Sequence, residues 1–174
     1  RNSIATQEVL DADGWFHTGD IGELDSEGFL SITDRKKDLI VTAGGKNVAP
    51  QPLEQRFKSD PAIQDAVVIG DRRPYLTALF VADHTQVLSA AGRLGLSSRS
   101  VEVLLEHSRI VHWLGSRVHQ VQQGLAPFKQ IKKFKLLGSP FSQEAGELTP
   151  TMKVKRQSVG TRYKSLIEEM YKAP

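Results

Sequence analysis

Four short stretches of this 174-residue sequence carry side chains that could do chemistry. The first is Thr18-Gly19-Asp20, at the mouth of what reads as a strand. A carboxylate there can accept two hydroxyl hydrogen bonds in a bidentate way, although a Gly-Asp pair read alone is far more commonly a turn cap. The second is the charged cluster Asp34-Arg35-Lys36-Lys37-Asp38, whose several hydrogen-bonding arms suit a solvated pivot. The third follows the β-branched run Ile40-Val41-Thr42 and reads Gly44-Gly45-Lys46-Asn47. Adjacent glycines let the backbone take positive φ and approach a ligand closely, although in isolation they describe only a surface turn. The fourth is Glu147-Leu148-Thr149-Pro150-Thr151-Met152-Lys153-Val154-Lys155-Arg156. Its Thr-Pro-Thr punctuation predicts that Lys153 sits on an extended, mobile segment, with Lys155 on the same face.

Together with Gly14-Trp15-Phe16-His17 ahead of the Thr-Gly-Asp block, these stretches, in this order, resemble the C-terminal end of the adenylate-forming enzymes. That superfamily holds acyl-CoA synthetases, peptide-synthetase adenylation domains and luciferase-like proteins. The Thr-Ala-Gly-Gly-Lys-Asn variant and the block ending Lys153-Val154-Lys155-Arg156 look most like the long-chain fatty-acyl-CoA synthetase branch. The resemblance implies an ATP-dependent ligase in which a carboxylate attacks the α-phosphate of ATP, and a thiol then displaces AMP from the acyl-adenylate. It implies that Lys153 is the adenylating lysine, that Thr18, Gly19, Asp20 and Arg35 hold the nucleotide, and that Lys37 is the hinge and reaches the nucleotide in one state. It implies further that Gly44, Gly45, Lys46 and Asn47 line the channel for the coenzyme A arm after the C-terminal part rotates. ATP, Mg2+ and coenzyme A are the cofactors and substrates so implied, with no protein-borne metal site. Two departures stand out: Met152 occupies a position where many relatives carry glycine, and Val41 one where many carry lysine.

The elements that must position these residues can be read from periodicity. Residues 20–24 and 29–33 alternate around Asp25-Ser26-Glu27-Gly28, which predicts a hairpin with Trp15 and Phe16 packed beneath it. A helix is expected over residues 4–10. Gln51-Pro52-Leu53 opens a short helix with Leu53 and Phe57 on one face, ended by Asp60-Pro61. Residues 63–69 and 75–82 read as paired strands over that helix, and Asp83 or Thr85 caps the next helix. Ser100 opens one long amphipathic helix through Leu125, and Pro127 ends it. Its His107, His112 and His119 lack the spacing of a metal site. A strand over 128–137 interleaves Lys129, Lys132, Lys133 and Lys135, a solvated face that could guide an anionic coenzyme. A last helix runs from Ser158.

The fold class so predicted is α+β: short antiparallel sheets with packed helices, the mobile C-terminal domain of an adenylate-forming enzyme. Residues 1–36 are expected to be the end of its larger N-terminal domain and 37–174 the mobile domain. No Gly/Ser/Thr-rich phosphate loop and no initiating Met are present, so a C-terminal fragment, inactive alone and partnered by the missing domain, is the expectation. The chain has no cysteine, so a disulfide framework and thiolate zinc sites are excluded. Twenty-three basic against twenty acidic residues leave a net charge of +3, too mild to indicate nucleic acid. No run approaches the roughly 18 apolar residues of a membrane span, so the reading is a soluble cytoplasmic chain, with peripheral membrane association left open. Three alternatives remain at this level: a fatty-acyl-AMP ligase, an adenylation enzyme loading a carrier protein, and a non-catalytic module binding a nucleotide or another anion.

Overall fold

The computed structural model describes residues 3–172. Its centre is a three-stranded sheet in the order β5-β6-β7, built from β5 (Ile63–Ile69), β6 (Leu76–Ala82) and β7 (Ile131–Leu137). β5 and β6 form the expected antiparallel pair, while β7 lies parallel to β6 with Phe134 opposite Ala78 and Leu137 opposite Val81. All seven residues of β6 are buried. A strand covered on both faces must be apolar throughout, which is why Leu-Thr-Ala-Leu-Phe-Val-Ala shows no alternation in hydrophobicity.

One face carries α2 (Pro50–Lys58), α3 (His84–Arg93), α4 (Val101–Glu106) and α5 (Ser108–Val121), packed through Phe57, Val87, Leu104, Ile110 and Leu114 onto Ala78 and Phe80. The other face carries α6 (Arg156–Arg162) and α7 (Lys164–Tyr171), packed through Val159, Ile167 and Met170 onto Leu79 and Val81. Thr77, fully buried in that layer, is satisfied by the Tyr171 hydroxyl at 3.0 Å. The helix over Pro50–Lys58 has the predicted Leu53 and Phe57 face, and Asp83 is the cap of α3, its Oδ1 accepting from the Gln86 N–H at 2.9 Å.

Ahead of this body lie α1 (Ser3–Val9) and the hairpin β1 (Asp20–Leu24) and β2 (Leu30–Arg35), followed by a 3-10 turn at Lys36–Asp38 and a two-residue ladder of β3 (Ile40–Val41) with β4 (Asn47–Val48).

Several expectations are corrected. Trp15 and Phe16 do not pack beneath the hairpin: they are 73% and 63% exposed, and Leu24, Phe29, Leu30 and Ile32 beside them are exposed too, because no described element covers that face. The single long helix from Ser100 is two helices broken at His107, whose backbone is extended and whose Nδ1 accepts from the Arg109 N–H at 3.2 Å. The strand expected from Phe128 starts at Ile131, since Pro127–Lys129 forms a 3-10 turn. The last helix begins at Arg156 and breaks at Tyr163, whose hydroxyl turns to the buried Glu147 at 2.9 Å.

Candidate functional site

The Thr-Gly-Asp block and the charged cluster meet because the β1–β2 ladder places Asp20 opposite Arg35. Arg35 Nε and Asp20 Oδ1 are 2.9 Å apart, the Asp20 N–H donates to Thr18 Oγ1 at 3.1 Å, and the Lys36 N–H donates to the Gly19 carbonyl at 2.8 Å. Thr18, Gly19, Asp20, Arg35 and Lys36 are therefore one hydrogen-bonded corner.

Asp34, one residue earlier, turns the other way and is buried. Its Oδ1 accepts from the Arg35 N–H at 2.7 Å and its Oδ2 from the Gln51 N–H at 3.1 Å, in the first turn of α2. A helix N-terminus presents unpaired N–H groups and positive potential, so a carboxylate delivered from another element stabilises it as a cap would. This joins the hairpin to α2 on either side of Lys37, which lies within the 3-10 turn. Sequence reading treated Asp34 only as one charge in a cluster. Its partner is seventeen residues away, so no local spacing marks it.

Lys153 is not on a loose extended segment. Residues 147–155 close into a small hairpin: the Lys155 N–H donates to the Glu147 carbonyl at 2.7 Å, the Thr149 N–H to the Lys153 carbonyl at 2.8 Å, and the Lys153 N–H to Thr149 Oγ1 at 3.0 Å. Met152, at the turn, has φ of 61°, in the left-handed region where glycine is at ease. Here the departure from the glycine of many relatives has a backbone cost.

This hairpin, the start of α6 and the corner around Arg35 enclose an open cleft of about 880 Å3, lined by Arg35, Lys37, Lys153, Lys155 and Arg156 among others. Its concentration of cations gives it the chemistry of an anion site. The Gly44-Gly45-Lys46-Asn47 turn is not among its lining residues. That turn is exposed and held by Thr42, whose Oγ1 accepts from the Lys46 N–H at 3.1 Å. Gly45 has φ of 72° and nothing within 4 Å of where a side chain would begin, so in this arrangement its glycine serves backbone conformation rather than close packing. Lys46 Nζ lies 5.9 Å from the Phe128 ring centre, and Lys129 Nζ is at the same distance. Of the other lysines, Lys135 pairs with Glu169 at 2.9 Å and Lys133 Nζ donates to the Lys172 carbonyl at 3.2 Å.

Sequence reading placed Arg156 in the Lys153 block but missed its partner Glu54; the two side chains meet at 2.5 Å between α2 and the first residue of α6. Burial pushes the Glu54 carboxyl above the ordinary carboxylate range, and Arg156 offsets part of that shift. Among the described residues no group of three or more His, Asp or Glu could hold a metal ion, and no helix is long and apolar enough to cross a membrane.

The architecture is α+β, a central sheet wrapped by helices, with a cationic cleft beside the N-terminal hairpin. Residues 37–174 match the family model for the AMP-binding enzyme C-terminal domain, and the chain belongs to that family. It is 42% identical over 172 residues to the long-chain-fatty-acid–CoA ligase FadD15 of Mycobacterium tuberculosis, covering 98% of this chain and 28% of that protein. It is 37% identical over 185 residues to human long-chain-fatty-acid–CoA ligase ACSBG1, covering 95% of this chain and 25% of that one. Among solved structures, the adenylation domain of the carboxylic acid reductase from Segniliparus rugosus, in complex with AMP and a co-purified carboxylic acid, superposes with a TM-score of 0.79 at 26% identity. That match covers 97% of this chain and 25% of the solved one. The chain thus spans about a quarter of the length of the curated relatives it matches.

Proposed function

We infer that this chain is the C-terminal part of an ATP-dependent long-chain fatty acid:CoA ligase, and that its cleft is the face used to form the acyl-adenylate. The observation that carries the reading is the meeting of Arg35, Lys37 and Lys153 in one cleft, with Asp20 held by Arg35. The names of the similar ligases supply the substrate class, and the AMP-bound adenylation domain supports a nucleotide as ligand.

In this reading Asp20 and Arg35 hold the ribose and fix the nucleotide's position. Lys153 brings an ammonium to the oxygens that gain charge as a fatty carboxylate oxygen attacks the α-phosphorus and pyrophosphate leaves. A fixed cation there stabilises the transition state more than the ground state. The thiol of coenzyme A then attacks the acyl carbon, its proton is lost, and AMP departs with the bonding electrons. Lys37 is the pivot about which residues 37–174 turn, withdrawing Lys153 and bringing the Gly44–Asn47 turn to the thiol channel. No step is assigned to Mg2+ on this chain, whose described residues gather no metal-ligand cluster.

The exposed Trp15, Phe16, Leu24, Phe29, Leu30 and Ile32 form the surface against which the rest of the larger N-terminal domain would pack. Without that domain the chain is expected to be inactive.

The test is ATP–pyrophosphate exchange with palmitate in the full-length enzyme, with and without Lys153→Ala. Palmitate-dependent exchange that falls on the order of a hundredfold to a thousandfold in the variant supports the reading. Exchange unaffected by the substitution refutes the role of Lys153, and no exchange with any fatty acid refutes the substrate class.

A further inference from the structure

We propose that Glu54 and Arg156 are positioning residues for Lys153, setting the adenylating hairpin on the body of the domain by clamping one residue of the sheet edge, Val68. This rests on the reading of Lys153 given above.

β5 is an edge strand, with β6 on one side only. An edge strand presents backbone groups that its neighbour does not use, and buried ones need partners. At Val68 both outward groups are taken by side chains: its N–H donates to Glu54 Oε1 at 2.7 Å, and its carbonyl accepts from Arg156 Nη1 at 3.2 Å. The second arms then close on each other, Arg156 Nη2 to Glu54 Oε2 at 2.5 Å. The result is a closed ring of hydrogen bonds through α2, β5 and α6. The two side chains are 12% and 23% exposed.

Each end of this clamp leads to the proposed machinery. Arg156 is three residues from Lys153 and directly follows Lys155, whose N–H closes the hairpin on the Glu147 carbonyl at 2.7 Å. Fixing Arg156 therefore fixes the base of the turn that carries Lys153. Glu54 lies on α2, whose first turn receives the buried Asp34 from the hinge side through Gln51. The line from Asp34 through α2 and the clamp thus reaches Lys153 from the corner that holds Arg35.

A planar guanidinium reaching two acceptors on separate elements fixes orientation more tightly than an ammonium could. Stability alone is a poor account of the pair, because burying two charges consumes most of what their attraction returns. Consistent with this, burial pushes the Glu54 carboxyl up even beside Arg156. Arg156 lines the same cleft as Arg35 and Lys153, but its two terminal nitrogens are taken by the Val68 carbonyl and the Glu54 carboxylate, so its effect on chemistry runs through where Lys153 is held.

The test uses the full-length enzyme carrying Glu54→Gln, Arg156→Lys or Lys153→Ala. Glu54→Gln keeps an acceptor for the Val68 N–H, and Arg156→Lys keeps the charge while losing the fork. Each should slow adenylate formation roughly tenfold to a hundredfold, the scale of an ångström-sized misplacement. The effect should fall on kcat with KM for ATP unchanged, and thioester formation from supplied acyl-adenylate should stay at the native rate. Hydrogen exchange at the Lys153 and Lys155 amides should quicken in both variants while the melting temperature of the rest of the enzyme holds. Equal loss in both half-reactions, following loss of folded enzyme, would make the pair a stability element and overturn the proposal. So would native adenylation in both variants when Lys153→Ala is inactive, which leaves the reading of Lys153 intact. If Lys153→Ala adenylates normally, that reading and this inference fall together.

Discussion

Asp20 and Arg35 face each other across the β1–β2 ladder and are joined side chain to side chain, Nε to Oδ1 at 2.9 Å. The pair is only partly covered, and such ion pairs contribute at most about 1 kcal/mol to stability. Its value on the present reading is in presenting a carboxylate and a guanidinium to the same ribose. Arg35→Ala is then expected to leave stability within about 1 kcal/mol of native. In the full-length enzyme it should raise KM for ATP roughly tenfold to a hundredfold, the loss of one or two charge-assisted hydrogen bonds. Steady-state kinetics beside chemical denaturation decide it. A large stability loss with unchanged KM would reassign the pair to folding.

Lys37 lies in the 3-10 turn Lys36–Asp38, between Asp34 and the residues of β3. Proline is tolerated in the first turn of a helix and locks φ near its value there, so Lys37→Pro should preserve the arrangement seen and resist any other. In the full-length enzyme the variant should form acyl-adenylate at close to the native rate. Its thioester step should slow on the order of a hundredfold, a barrier increase of about 2.7 kcal/mol. Single-turnover assays of the two half-reactions separate these outcomes, and normal overall acyl-CoA production would remove Lys37 from the hinge.

The parts of this fold that sequence exposes are those whose signals are local. β5 and β6 announce themselves as apolar runs bounded by Asp60-Pro61 and Arg73-Pro74, and the β1–β2 hairpin by the Asp-to-Gly turn between its strands. The break at His107 is hidden, because α4 and α5 bury Leu104, Ile110 and Leu114 in the same core and so continue one apolar stripe across it. At the candidate site, Asp20, Arg35 and Lys153 stand out in sequence through their motifs, whereas the clamp does not. Glu54 and Arg156 stand 102 residues apart, and a glutamate on a short helix has the sequence appearance of a solvated face. The hairpin around Lys153 is hidden for a different reason: its turn is made by a methionine at positive φ, a residue type that carries no turn signal.

That methionine gives a stability prediction. A non-glycine residue in the left-handed region costs roughly 1–2 kcal/mol, and glycine forfeits part of the relief through its freer unfolded state. Met152 is 65% exposed, with its sulfur 3.1 Å from Gln143 Nε2, so little packing is lost on truncation. Met152→Gly should therefore stabilise the chain by about 0.5–1 kcal/mol, whereas Met152→Ala, which keeps the Cβ, should gain nothing. Denaturant unfolding of the three proteins measures both. Equal stabilities for the Gly and Ala variants would show that the turn stores no strain.

The Glu54 carboxyl provides a test by pH. Burial is the largest cause of its upward shift, the Val68 N–H and Arg156 oppose it, and the nearby Asp65 adds to it. With the folded state holding its proton more tightly than the unfolded chain, whose reference value is 4.5, the contribution of this group is fully present below that value. It is lost as pH rises through the higher folded value. Glutamine keeps the neutral amide form at every pH and does not share that loss. The stability of Glu54→Gln relative to native should accordingly improve as pH increases from about 4 toward 7, and level off once the native carboxyl is ionised in both states. Thermal unfolding of the two chains across this range reads the difference directly. A difference that moves the opposite way, with the native chain gaining on the variant as pH rises, would mean that Arg156 outweighs burial and that the pair stabilises the fold in its own right.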